Sequence, residues 1–177
     1  MDELDKWHEF FVMLGGAEAA LTGLVFVALS LHIPRGVETF WMRGARLTSF
    51  GLLALLCVAG VALIPTETPA LVGVGVLAVN AAWATEYVRA VRAHSTDIRR
   101  MLRGPESRFL TRSITAAMLS TGAVVAGAAA LVAGTPDGIA LVAIGSLGGV
   151  AVGVANAWYF LTLRPARADD DGPYSDE

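Results

Sequence analysis

Glu18 lies inside an apolar run from Phe10 to Ile33 that contains no basic residue. In a helix it would sit about 12 Å past Phe10. A carboxylate at such a depth in a bilayer costs roughly 2.5–3.5 kcal/mol or more unless it is paired, protonated or wet. Helical spacing places Phe11, Gly15, Glu18, Thr22, Val25, Leu29 and His32 on one broad face, with Glu18 and Thr22 an i,i+4 pair. That face is expected to point at a partner helix or a cavity and not at lipid. A carboxylate beside a hydroxyl on a wet path can bind an ion or a proton, repeated around an axis if the protein oligomerises. A protonated or hydrogen-bonded Glu18 could instead glue its helix to another through Asn80, Asn156, Ser120 or Thr121.

Asn80 and Asn156 each precede a tryptophan near the end of an apolar run. Their expected role is hydrogen bonding between helices, where an amide has few partners in hydrocarbon. Glu86 stands three residues before Arg89, the spacing of an i,i+3 ion pair on a helix. A cluster formed by Arg89, Arg92, Arg99, Arg100, Arg103, Arg108 and Arg112 faces only Asp97 and Glu106. Such a cluster next to a membrane attracts anionic lipid head groups at around 1 kcal/mol per charge, with Arg92, Arg99, Arg100 and Arg103 as the expected contacts. Nucleic acid is not an expected partner, because no binding motif or interleaved aromatics accompany the arginines.

Enzyme chemistry finds little support. There is no HExxH, no phosphate-binding glycine loop and no dinucleotide fingerprint. His8, His32 and His94 fall at or beyond the ends of apolar runs and are too scattered for a metal cluster. Cys57 is the only cysteine, so no disulfide or thiolate metal site is expected. The chain is read as a non-enzyme without cofactor or metal.

The elements that must position these residues follow from composition. Of 177 residues, 55% are apolar and 16% charged, with a mean hydropathy of +0.59, which is too little charge for a soluble domain of this size. Crossing a ~30 Å hydrocarbon core takes about 20 apolar residues as a helix. Runs at 10–33, 47–64, 70–88, 114–133 and 139–163 meet or approach that length. Backbone groups in lipid must bond within their own segment, and alternating strand patterns are absent, so the expected class is an all-α polytopic membrane bundle of about five transmembrane helices. Its 19 glycines suit backbones that pack closely. Pro65 to Pro69 and Gly134 to Gly138 are short breaks that join runs two and three, and runs four and five, into antiparallel hairpins.

Segment 1–9 is acidic, with Asp2, Glu3, Asp5 and Glu9 against Lys6, the wrong charge for a signal-peptide leader, so the first run is expected to be retained. Arginines fill the first connection at Arg35, Arg43 and Arg46, the third at 89–112, and the end of run five at Arg164 and Arg167, while the second and fourth have none. The positive-inside rule then puts the N-terminus outside and the C-terminus in the cytoplasm. The tail 164–177 ends in an acidic cluster and is expected to be solvated and disordered. Arginine in place of lysine fits a bacterial source and hence a plasma-membrane location.

Ala70 to Gly75 is similar to Ala140 to Gly145, and Asn80 to Trp83 is similar to Asn156 to Trp158. These matches would make the two hairpins a parallel repeat after a distinct first helix. The stretch from Phe10 to Ser30 resembles the first span of a group of small bacterial multi-spanning membrane proteins. The resemblance covers the first run and the general layout, supports reading that run as a mature span, and brings no activity, ligand or catalytic residue with it.

Together these features point to a homo-oligomeric membrane protein with an ion- or proton-conducting path lined by Glu18 and Thr22. The alternative is a non-catalytic scaffold or assembly subunit that binds a membrane-protein partner through the arginine loop or acidic tail. A small-molecule transporter comes third and depends on the repeat being real.

Overall fold

The computed structural model describes residues 5–32, 39–66, 68–93 and 107–162. Five long helices account for nearly all of them: α1 (His8–His32), α2 (Thr39–Ala62), α3 (Pro69–Ala93), α4 (Ser107–Val132) and α5 (Gly138–Thr162). A 3-10 turn, Asp5–Trp7, leads into α1. No strand occurs among the described residues. The chain is all-α, as its apolar periods and the demands of backbone hydrogen bonding require.

Within the described residues, His8–Val27, Pro69–Arg89, Ser107–Val132 and Gly138–Tyr159 are each long and apolar enough to cross a membrane. α2 differs. It is 24 residues long, but it starts well before the apolar run at 47–64 and carries Arg43 and Arg46 in its first turns. α4 likewise begins at Ser107, so Arg108 and Arg112 are helical, and Arg89 and Arg92 belong to the last turns of α3. Arginines expected in connections are therefore carried on helix ends, where long side chains can reach the interface. Of the remaining expectations, segment 1–4, Arg35, Arg99, Arg100, Arg103 and the tail 164–177 lie outside the described residues.

The helices run up and down. α1 packs on α2, α2 on α3, α3 on α4 and α4 on α5, while α5 closes the bundle against α2 and α1. The C-terminal ends of α1, α3 and α5 and the N-terminal ends of α2 and α4 thus share one end of the bundle, called here the arginine end; the opposite end holds the two short turns.

Both turns have clear physical causes. α3 starts with Pro69 at its first position, where the missing N–H costs nothing, and the Thr68 carbonyl accepts the first bond from Leu71 N–H at 3.0 Å. α4 ends at Gly134, whose φ of 84° lies in the left-handed region. There Gly134 N–H donates to the Leu131 carbonyl at 3.1 Å and Thr135 N–H donates to the Ala130 carbonyl at 2.9 Å. This crossed pair is a Schellman cap.

Glycine sets the tightest interface. A Cβ built on Gly127 would lie 2.5 Å from the Gly138 carbonyl oxygen, and one on Gly138 the same distance from the Gly127 oxygen, so α4 and α5 meet backbone to backbone. Gly75 and Gly145, equivalent in the internal similarity, each face the preceding helix of their own hairpin, at Val61 and Val124 respectively.

The burial pattern is inverted with respect to a water-soluble bundle. Leu24, Phe26 and Leu119 stand on the exterior at 66%, 70% and 71% exposure, whereas Glu18 is completely buried. Apolar side chains also form the interior, from Phe11, Leu14 and Val58 to Val76, Leu131 and Val142. An apolar exterior of this kind fits a bilayer.

Candidate functional site

Among the described side chains of α1, Phe11, Leu14, Glu18 and Val25 are buried, spaced by three, four and seven residues as an inward seam must be. Gly15 and Thr22 border the seam and are partly buried. From Phe11 to Val25 the face expected from the spacing therefore does point inward, while Leu29 and His32 of that face lie outside the residues whose side chains are described. The helices it meets are α2 and α5 of the same chain.

The level of Glu18 in the bundle follows from its neighbours. A Cβ on Gly15 would lie 3.5 Å from Ala59 Cβ and 3.9 Å from Leu56 Cδ1 of α2. Glu18 is one helical step of about 4.5 Å nearer the arginine end, and because α2 runs antiparallel, it comes level with Leu55. Leu55 is the residue that covers Gly149 of α5, and Leu52, one turn on, covers Gly153; built Cβ atoms there would approach the leucine side chains to 2.8 and 2.7 Å. Glu18 is thus level with Gly149, and Thr22 is level with Gly153. Ser146, fully buried, precedes Gly149 by one turn. It shares with Ile139, Val142 and Gly153 the seam of α5 that faces the interior.

Three side chains in this region, all buried at their polar atoms, make no hydrogen bond to a protein group among the described residues: both carboxyl oxygens of Glu18, Thr22 Oγ1 and Ser146 Oγ. The sequence offered Asn80, Asn156, Ser120 and Thr121 as partners for Glu18. Asn80 Nδ2 donates at 2.9 Å to the Val76 carbonyl of its own helix. Asn156 Oδ1 accepts from Ser113 Oγ at 2.6 Å, within the α4–α5 hairpin. Ser120 Oγ donates to the Gly145 carbonyl. These bonds hold helices together, or cap an amide on its own helix, without involving Glu18. Thr121 is partly buried on α4.

Other hydroxyls follow the usual habit of helices in apolar surroundings and donate to a carbonyl one turn back. Ser30 donates to Phe26 at 2.9 Å, Thr85 to Ala82 at 2.7 Å and Thr115 to Thr111 at 2.8 Å. Thr22 and Ser146 do not. Their buried hydroxyls make no hydrogen bond to any described residue.

The remaining candidates lie apart. Arg92 is exposed at the arginine end, one turn beyond the Glu86–Arg89 ion pair, whose 2.6 Å separation matches the i,i+3 spacing. Phe109 and Tyr159 stack at the same end with ring centroids 3.9 Å apart. No group of three His, Cys, Asp or Glu side chains among the described residues could hold a metal ion.

Ser146 had escaped the sequence reading. Serine in a Gly, Ala and Val run is commonplace, and only the packing of α5 on α2 and α1 reveals that its hydroxyl is buried without a backbone partner.

Comparison with known protein families, with curated proteins and with solved structures finds no match to this chain.

Proposed function

We propose that the protein forms an ion- or proton-conducting path through a bacterial plasma membrane, with Glu18 as the charge-bearing group and Thr22 beside it. One observation carries the reading: a completely buried carboxyl group with neither oxygen hydrogen-bonded to any described residue. An acid retained only to hold helices together would be bonded, since leaving a buried polar group unmade costs about 1–3 kcal/mol. A site meant for a transient occupant must instead keep its oxygens open.

Because Glu18 is enclosed by helices of its own chain, the path belongs to each protomer. A homo-oligomer would carry parallel paths and not one shared central pore. The N-terminus lies outside and the arginine end in the cytoplasm, where Arg92, Arg99, Arg100 and Arg103 meet anionic head groups and hold the bundle at its depth.

The test is flux into liposomes reconstituted with purified protein, under sodium, potassium, chloride and proton gradients, with wild type and Glu18→Gln at matched incorporation. Flux in the wild type that is lost or altered in selectivity in the variant is the expected result. No flux from monodisperse wild type under any gradient would overturn the path and turn attention to a scaffold acting through its arginine end.

A further inference from the structure

We infer that the occupant of the Glu18 site is a single proton, held on the carboxyl group itself, so that the path carries protons and not metal cations. The inference rests on reading Glu18 as the charge-bearing group of a path, and it narrows what that path carries.

Charge comes first. Glu18 is completely buried, and the other buried polar residues among those described, Ser120 and Ser146, are neutral. α1 packs on α2 and α5. Among the described residues α2 buries Leu52, Val58 and Ala59, and the one buried polar residue of α5 is Ser146. Neither helix therefore turns a buried acidic, basic or histidine side chain toward the acid. A carboxylate at this place has no counter-charge, and an unpaired charge in an apolar interior is neutralised before it is tolerated. Either a proton or a cation must supply the missing charge.

Coordination and room decide between them. A hard metal cation stripped of its water takes about six or more oxygen ligands in exchange. Thr22, an i,i+4 neighbour on the same helix, adds one hydroxyl to the two carboxyl oxygens. Even with Ser146, about one turn away along the bundle, that set falls short. Ser120 already donates to the Gly145 carbonyl, Asn80 is bonded to its own helix and Asn156 to Ser113. A cation that kept its water would need space. Yet at the level of Glu18, Leu55 covers Gly149 so closely that a built Cβ would come within 2.8 Å of it. A proton needs neither a cage of ligands nor room, and it removes the charge completely.

A hydrophobic carbodiimide tests the proton directly. Dicyclohexylcarbodiimide adds to a protonated carboxyl in apolar surroundings: the O–H proton passes to one nitrogen and the carboxyl oxygen bonds the central carbon. The acyl group then migrates from oxygen to nitrogen, giving a stable N-acylurea from which nothing has left. The full chain in liposomes would be treated at neutral pH in choline, sodium or potassium chloride of equal ionic strength, and the adduct followed by intact mass and peptide mapping. The expected result is one adduct, on Glu18 and absent from Glu18→Gln, formed at the same rate in the three salts. A metal cation bound to the carboxylate at roughly a hundred times its Kd would slow labelling about a hundredfold. Slowing by sodium or potassium thus overturns the inference, as does a folded wild type that takes no adduct at Glu18. Proton influx into choline-only liposomes, read with a pH-sensitive dye, is expected to be lost in Glu18→Gln and in labelled protein. Glu18-dependent sodium or potassium flux in its place would overturn the proton and keep the path. Labelling as expected without flux of any ion would overturn the path alone and leave the proton on Glu18.

Discussion

Ser113 Oγ donates to Asn156 Oδ1 at 2.6 Å across the α4–α5 interface, and one turn nearer the arginine end Phe109 stacks on Tyr159. The pair ties the start of α4 to the end of α5, at the opposite end of the hairpin from the Gly127–Gly138 backbone contact. The hairpin is pinned at both ends, with Ser146 midway along α5 between the two contacts.

A double-mutant cycle on Ser113→Ala and Asn156→Ala is expected to return a coupling of about 0.6 kcal/mol, and no more than about 1.7 kcal/mol, as is usual for hydrogen bonds between helices in membranes. Unfolding in mixed micelles would measure it. Strictly additive single effects would mean that the bond contributes nothing to the hairpin.

Gly127→Leu should destabilise the bundle by roughly 1–3 kcal/mol or more, because its Cβ would meet the Gly138 backbone, which cannot retreat without parting the helices. Gly122→Ala is the control, since nothing lies within 4 Å of a Cβ built there. Equal unfolding midpoints for the two variants would contradict the close approach of α4 and α5.

Glu18→Met should stabilise the protein or leave its stability unchanged while abolishing flux. Replacing a buried, unpaired polar group with an apolar side chain of similar length removes a desolvation cost and breaks no protein bond. A large loss of stability would show instead that Glu18 bonds another helix, in favour of the glue reading.

Gly134→Ala should lower stability by about 1–2 kcal/mol, the cost of placing an L side chain in the left-handed region, since φ at Gly134 is 84°. An unaltered midpoint would indicate that the α4–α5 turn can close in another way.

Orientation is open to direct labelling. In a Cys57→Ala background, Asp137→Cys at the turn end should react from outside intact cells with an impermeant maleimide, and Arg92→Cys at the arginine end should react only after lysis. The reverse pattern would place the arginine end outside.

Much of this arrangement was legible in the residues. Apolar runs as long as a bilayer is thick can satisfy their backbones only as helices, and Pro69 and Gly134 mark turns because their chemistry allows little else. The inward direction of Glu18 was legible too, because a carboxylate facing lipid is too costly to keep. The start of α2 was less so: Arg43 and Arg46 interrupt the hydropathy but not the helix, since arginine is a good helix former and only its charge needs water.

The sequence by itself therefore determined the all-α class, the hairpins and the presence of a buried acid on the first helix, all of which depend on one segment at a time and on its cost in lipid or water. Only the tertiary structure decided which groups meet that acid. Asn80, Asn156 and Ser120, each able to bond Glu18 by type, make bonds elsewhere, whereas Ser146, indistinguishable from any serine in a small-residue run, lies about one turn from the level of Glu18 with no hydrogen bond to a described residue. The levels of α1, α2 and α5 are set by how Leu52 and Leu55 fit over Gly153 and Gly149. Such a fit is a property of two surfaces together, and neither helix records it alone.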